Sequence, residues 1–283
     1  MTPPGRIHAG VIGAPVEHSR SPAIHLAAAR ATGVDLDYRA IHVQPDELTA
    51  MITSMRDTGM RGLSVTMPHK HAVIGELDEL TSSARVLNAV NHITNTGGHL
   101  IGNNTDGEGF LLGLSHAHGI DVAGMQVAIF GAGGAARAII QACAAAGARQ
   151  IFVIARDLDR AQAAAEVGGE VAAPASTPAL RDADLVVNAT PVGMAGTPGD
   201  GQVPFDVHAL RDDSVVVDIV YDPVETPLLK ASRARQLRGV DGLAMLAGQA
   251  AAQFSTWTGV PAPLDVMIAA ATGDASDGNT SIS

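Results

Sequence analysis

Lysine is nearly absent from this 283-residue chain: of its 18 basic residues, 16 are arginine, and only Lys70 and Lys230 are lysine. Arginine stays protonated, whereas the lysine amine can be moved into a useful titration range by its surroundings. A chain that uses arginine for nearly all its positive charge draws attention to its two lysines as candidates for chemistry. Aromatic residues are also scarce, at 3 % against 46 % hydrophobic residues overall. The cores must therefore be built from Ala, Val, Leu and Ile. A single cysteine, Cys143, excludes an intramolecular disulfide and suits a reducing compartment. It falls in an Ala-rich helical stretch and reads as a small core residue, not as a nucleophile. The net charge of −11 argues against nucleic acid as a partner. Any anionic small molecule must then be held by a local exception to that charge. No apolar run approaches the ~20 residues needed to cross a bilayer. The opening MTPPGRIHAG lacks the basic and apolar regions of a signal peptide. These absences predict a cytoplasmic protein without a membrane partner. No metal site is expected either, because His69 and His71 sit two apart with no carboxylate nearby.

What is present is an alternation of strand and helix patterns. Strands are expected at 7–12, 38–43 and 63–66, with helices at 22–31, 45–56 and 70–80. Segments 89–94 and 99–102 flank Gly97-Gly98, a hairpin signal. Helix 107–118 leads to strand 127–130, then strand 150–155, helix 158–166, strands 184–188 and 214–220, and helices 225–236 and 242–258. This pattern predicts an α/β protein with parallel sheets, and the length suggests about two domains. The last stretch, TGDASDGNTSIS, is polar and aperiodic and reads as a frayed tail.

The strongest local signal is VAIFGAGGAA, Val127 to Ala136. Gly131, Gly133 and Ala136 give the G-x-G-x-x-A spacing of a strand–turn–helix that cradles a dinucleotide pyrophosphate. Over 100 residues precede it, enough for a separate substrate-binding domain, with the site expected in the cleft between the two. Within that first part, GVIGAPVEHSRSPAIH places Ser19 and Ser21 just before a helix. Locally they read equally as carboxylate-binding hydroxyls or as a turn residue and the N-cap of the helix that starts at Pro22. In GLSVTMPHK, a strand ends at Thr66 and Lys70 follows at the carboxyl edge where α/β proteins bind ligands. Asn91 and Asp106 lie on turn-like segments further on. An acid beside a lysine suits proton transfer during carbonyl reduction, although Asp106 also reads as an N-cap of helix 107–118.

GAPVEHSRSPAIH, SVTMPHK, AVN, GNNTDGEG, GAGGAAR, NATPVGM, DIVYDPVETPLL and DGLAMLAGQAAAQF follow one another in order. Together, from Gly10 to about Ala270, they resemble the shikimate dehydrogenase family. The resemblance implies two α/β domains, the C-terminal one of Rossmann type. Residues 1–106 with 242–283 would bind substrate, and 107–241 would bind NADP. It implies reversible, NADPH-dependent reduction of 3-dehydroshikimate to shikimate, on the route to chorismate and the aromatic amino acids, by a monomer or homodimer. Ser19, Ser21 and Tyr221 would hold the substrate carboxylate. Thr66, Lys70, Asn91, Asp106 and Gln249 would bind the ring hydroxyls, with Lys70 and Asp106 as the catalytic pair. Lys230 reads as a solvated charge. Gly131, Ala132, Gly133, Gly134 and Ala135 would cradle the pyrophosphate, Arg156 the 2′-phosphate, and Thr190, Ile219 and Gly242 the nicotinamide side, to which Asn188, Gly193 and Met194 also correspond.

Five positions depart from the family pattern. Ala155 stands where an asparagine is usual. Asp157 follows Arg156 where a hydroxyl residue is usual, which sets a carboxylate near the 2′-phosphate unless it caps helix 158–166; NAD is therefore not excluded. Leu26, Ser64 and His92 replace common asparagine, asparagine and threonine. Ser64 keeps open a relative acting on quinate or aminoshikimate, and Asp157 one that uses NAD.

Overall fold

The computed structural model describes residues 5–273. From residue 274 on, the expected frayed tail lies outside them. The first half runs β1 (Ile7–Gly13), α1 (Ser21–Thr32), β2 (Leu36–His42), α2 (Leu48–Thr58), β3 (Gly62–Val65) and α3 (His69–Ala72). It continues through β4 (Glu79–Leu80), α4 (Ser82–Leu87), β5 (His92–Thr96), β6 (His99–Asn103) and α5 (Asp106–His118). The second half runs β7 (Gln126–Phe130), α6 (Gly134–Ala145), β8 (Gln150–Ile154), α7 (Leu158–Ala165), β9 (Ala172–Pro174) and β10 (Leu185–Asn188). β11 (Val215–Asp218), α8 (Pro227–Ala234), β12 (Arg238–Val240), α9 (Gly242–Thr258) and α10 (Leu264–Thr272) complete it.

Two sheets result, ordered β2-β1-β3-β5-β6-β4 and β12-β11-β10-β7-β8-β9. The second is parallel throughout, as expected. The first is not: β5 runs antiparallel to both β3 and β6. The β5–β6 pair follows from the hairpin at Gly97-Gly98, whose φ values of 62° and 93° make a turn that returns the chain directly beside itself.

The helix expected over 70–80 also fails to form. α3 is a single turn, continued as a 3-10 turn over Val73–Glu76, and Leu77 is already extended. Only Val73 of that continuation is buried, so no apolar stripe holds a longer helix against the sheet. Instead Thr81 caps α4, accepting from the Ala84 amide, and Asn88 in the left-handed region ends it. The strand expected from Ala89 therefore begins only at His92.

Helices α9 and α10 return to the first sheet. Ala247, Phe254, Trp257 and Met267 share a buried cluster with Val11 and Tyr38 of β1 and β2. The opposite face packs Ile52 and Met55 of α2 on Leu63, Val65 and Ile93. The second sheet is covered by α6 on one face, through Ile139, Ile140 and Cys143, and by α8 on the other, through Leu228. Cys143 is fully buried and burial pushes its thiol up to about 12, which fits its reading as a core residue. α5 and α9 cross at backbone contact. A Cβ on Gly109 would overlap the Gln249 amide nitrogen, and one on Gly248 the Gly109 carbonyl oxygen. That approach sets the start of α5, with Asp106, beside the middle of α9, with Gln249.

Candidate active site

A cavity of about 380 Å³ opens at the carboxyl ends of β1 and β3 and is closed from the other side by Ile219 and Gly242. Ser19, Ser21, Thr66, Lys70, Asn91, Asp106, Tyr221 and Gln249, singled out from sequence, all line it. They reach it from several separate pieces of chain. Thr66 follows β3, Lys70 is on α3, Asn91 precedes β5 and Asp106 begins α5.

The charged centre is an ion pair. Lys70 Nζ donates to Asp106 Oδ2 at 2.7 Å, with the side chains 34 % and 15 % exposed. Asn91 Nδ2 donates to the other carboxylate oxygen, Oδ1, at 2.7 Å. Asp106 is thus committed to two side-chain donors and does not act as an N-cap; Thr105 holds that position. An ammonium held against a carboxylate, still partly open to a cavity, can give a proton to a ligand oxygen within hydrogen-bond reach and recover it.

At the other end of the cavity, Ser21 is the first residue of α1 and not its N-cap, which is Arg20. The expected cap fails because the chain turns one residue earlier, and Ser19 Oγ accepts from the Ser21 amide at 3.3 Å. The Ser21 hydroxyl is left on the cavity wall. Arg20 lies over the Tyr221 ring, 5.5 Å from its centroid, and also lines the cavity. With Lys70, it supplies the local positive charge that an anionic ligand needs in an acidic chain. Arg20 was missed in the sequence because it is one of many arginines.

Of the family departures, Ser64 alone lines the cavity. Leu26 packs against the α9 core, and His92 is buried with its ring edge-on to Trp257, centroids 5.1 Å apart. Behind Ser64 stands a polar cluster not found from sequence. Ser64 Oγ contacts Tyr38 OH at 2.7 Å and donates to Gln253 Oε1. Gln253, fully buried, donates to Gln249 Oε1 at 2.6 Å and to Thr105 Oγ1 at 3.1 Å. The available signal was an amide one helical turn past Gln249 in an otherwise apolar helix.

The second sheet carries the remaining candidates along its carboxyl edge. Gly131 has φ 121°, and a Cβ there would strike the Ala189 carbonyl oxygen at 2.6 Å, so only glycine fits the turn. Gly133 and Gly134, exposed at the start of α6, face open space where a Cβ would meet nothing within 4 Å. Such an open, backbone-lined helix start accommodates a pyrophosphate. Arg156 is exposed and has no hydrogen-bond or ion-pair partner among the described residues. Asp157 caps α7, its Oδ1 accepting from the Asp159 and Arg160 amides at 3.0 and 3.2 Å. Its charge is engaged by the helix start, leaving the guanidinium of Arg156 free for a phosphate. These features fit NADP. Thr190 is held by Asn188, whose Oδ1 accepts from the Thr190 amide and hydroxyl at 3.1 and 2.7 Å. Asn188 Nδ2 in turn donates to Asp218 Oδ1 at 2.9 Å, and Thr226 to Asp218 Oδ2 at 2.7 Å. Burial raises the Asp218 carboxyl above its usual range. Of this cluster, Asn188 and Thr190 were named from sequence, whereas Asp218 and Thr226 were not. The cluster ties the ends of β10 and β11 together, and the backbone bond from Ile219 to Asn188 brings the edge to the cavity wall.

Among the described residues, no helix is long and apolar enough to cross a membrane, and no group of three His, Cys, Asp or Glu could hold a metal ion.

Comparison with known proteins agrees with this geometry. The shikimate dehydrogenase substrate binding domain profile matches residues 11–93, and the shikimate 5′-dehydrogenase C-terminal domain profile matches 242–272. The NADP oxidoreductase coenzyme F420-dependent profile matches 126–221. Shikimate dehydrogenase (NADP(+)) of Symbiobacterium thermophilum is 45 % identical over 280 residues, covering 95 % of this chain and 94 % of that one. A crystal structure of shikimate dehydrogenase in complex with NADP+ superposes with a TM-score of 0.87 at 35 % identity, over 96 % of both chains. Shikimate 5-dehydrogenase from Thermus thermophilus, in complex with NADP(H) and shikimate, gives 0.84 at 35 % identity, over 94 % of this chain and 98 % of that one. With such likeness along nearly its whole length, the chain belongs to the shikimate dehydrogenase family.

Proposed function

We propose that this chain catalyses the NADPH-dependent, reversible reduction of 3-dehydroshikimate to shikimate, in the cytoplasm, on the route to chorismate and the aromatic amino acids. The observation that carries the reading is the Lys70–Asp106 pair at 2.7 Å inside a cavity rimmed by serine, threonine, asparagine and glutamine. Ser19, Ser21 and Tyr221 bind the substrate carboxylate, and Thr66, Asn91 and Gln249 bind ring hydroxyls. NADPH, when bound, supplies the hydride. Lys70 donates its proton to the oxygen at C3 as that oxygen gains negative charge, and takes it back in the reverse direction. Asp106, held by Asn91, keeps the ammonium aimed at that oxygen. Gly131 to Ala135 receive the pyrophosphate, Arg156 the 2′-phosphate, and Thr190, Ile219 and Gly242 border the nicotinamide. Residues 1–106 with 242–283 form the substrate unit and 107–241 the nucleotide unit, in a monomer or a homodimer.

The test is NADP+ reduction by shikimate, followed at 340 nm, with NAD+ and quinate in parallel. Turnover is expected with NADP+ and shikimate, and little with either replacement. Preference for NAD+ would mean that capping does not remove the influence of Asp157. Preference for quinate would overturn the substrate assignment.

A further inference from the structure

We infer that Gln253, which does not itself line the cavity, is a positioning residue that fixes the hydrogen-bond polarity of the substrate pocket. The order of donors begins at a backbone atom that can only accept. Gln249 Nε2 donates to the Leu246 carbonyl oxygen at 3.0 Å, so its Oε1 is the end turned to Gln253. Gln253 must therefore present its own NH2 there, and does, at 2.6 Å. Its Oε1 is then turned to Ser64, whose single hydroxyl proton goes to it. Tyr38 OH, 2.7 Å from Ser64 Oγ, is left as the donor to Ser64. Burial holds that phenol protonated, well above its usual range.

The same amide acts in a second direction. Gln253 Nε2 also donates to Thr105 Oγ1, which turns the Thr105 hydroxyl proton away, towards Asn91 Oδ1 at 3.3 Å or the Gln249 carbonyl oxygen at 3.3 Å. The Thr105 amide donates to Asn91 Oδ1 at 2.8 Å, so Asn91 offers its NH2 to Asp106. The buried amide thereby passes the polarity fixed at the Leu246 carbonyl on to Ser64, and its donation to Thr105 agrees with the orientation of Asn91 fixed by the Thr105 amide. Ser64 can only accept from a ligand, and Gln249 keeps one free N–H. Asn91 is held as a donor to the carboxylate that pairs with Lys70.

The inference rests on the proposed function and sharpens it. The ligand group facing Ser64 has to be a donor, as a hydroxyl can be, because a carbonyl or carboxylate oxygen there would meet an oxygen without a free proton. A buried amide with the wrong end forward leaves two acceptors facing each other in a site closed to water, which is costly.

The test compares wild type with Gln253→Met and Gln253→Glu in steady-state oxidation of shikimate with NADP+. Circular dichroism and melting establish that each variant is folded. Gln253→Met is expected to raise KM for shikimate about tenfold, with kcat within about threefold and KM for NADP+ within about twofold. Gln253→Glu adds a signature that a merely structural role lacks. The protonated acid can donate to Gln249 as the amide does, and the carboxylate cannot; the titratable groups around it, His25 of α1 and Tyr38 of β2, are held neutral near neutral pH by burial. Its KM for shikimate, relative to wild type, is therefore expected to rise with pH. Wild-type KM for shikimate in both folded variants would overturn the inference, as would a parallel rise in KM for NADP+. Should wild type oxidise a different ring hydroxy acid, the proposed substrate fails on that arm alone. The variant-to-wild-type ratio on that acid then decides the role of Gln253.

Discussion

The two sheets meet their ligands with different materials. The nucleotide side is parallel throughout, is packed on both faces by Val, Ile and Ala, and offers backbone at its edge: the Gly131 turn and the start of α6. The substrate side is a mixed sheet that buries His25, Ser64, Asn91, His92, Thr105 and Gln253 around its pocket, whereas the buried Asn188, Asp218 and Thr226 of the nucleotide side lie away from its phosphate turn, at the ends of β10 and β11. The substrate side offers side chains, delivered from separate strands, turns and helices. Backbone recognition needs only a local conformation, whereas side-chain recognition needs the whole fold to be in place and its buried polar groups to be satisfied. Changes at the exposed phosphate cradle and at Arg156 should therefore act on cofactor affinity alone, and substrate-side changes on chemistry, substrate affinity and acid stability.

The largest effect expected from breaking this comparison is that of Asp106→Ala, which removes the partner of both Lys70 and Asn91. kcat should fall by about 10²–10³ while KM for NADP+ stays within about twofold, in steady-state assays. Gly133→Val comes next. Its backbone is extended, φ −83° and ψ −175°, and open to solvent, so the variant should melt like wild type. The added side chain fills the phosphate cradle, and KM for NADP+ should rise by about 10–100-fold. Gly131→Ala makes the contrast, since there the strained φ and the Ala189 carbonyl should lower the melting temperature itself. Arg156→Ala should raise KM for NADP+ about tenfold and leave that for NAD+ nearly unchanged, because only NADP+ carries the 2′-phosphate. A large loss with both cofactors would place Arg156 elsewhere.

The smallest effect is on stability. His25 is fully buried, stacked on Tyr38 with ring centroids 4.2 Å apart, and neither of its nitrogens has a hydrogen-bond partner among the described residues. Burial lowers its pKa to about 3, and that of His92 to about 4. Both lie below the unfolded value of about 6.5, so the unfolded chain binds more protons between those limits. Stability is therefore full above about pH 6.5 and declines as the pH falls towards 4. In His25→Phe, which keeps a stacked ring without a titrating group, the melting temperature should fall less steeply over the same range. An equal slope would assign acid sensitivity to other groups.

The same contrast explains what could be read from sequence. Strand β7, its turn and α6 were legible because ten consecutive residues carry the whole geometry. Lys70 stood out because lysine is rare here, and the other pocket residues through ordered motifs. The antiparallel pairing of β5 was only half legible: the Gly97-Gly98 turn shows its pairing with β6 in the sequence, but nothing local shows its pairing with β3. Helix α4 was missed and the end of α3 misplaced because short helices depend on caps such as Thr81 and on packing more than on periodicity. Asn188–Asp218–Thr226 and the Gln253 cluster unite residues far apart in the chain, as in the pair Ser64 and Gln253, 189 positions apart. No local pattern announces such a meeting.

The central claim is that proton chemistry resides on the substrate side, in Lys70, while the nucleotide side only binds. It is tested most directly by measuring NADPH affinity and turnover on one preparation of Lys70→Ala. NADPH should bind as tightly as to wild type, with kcat for shikimate oxidation lower by about 10²–10⁴ and KM for shikimate changed far less. An unchanged kcat, or a loss explained by failure to bind NADPH, would contradict the account.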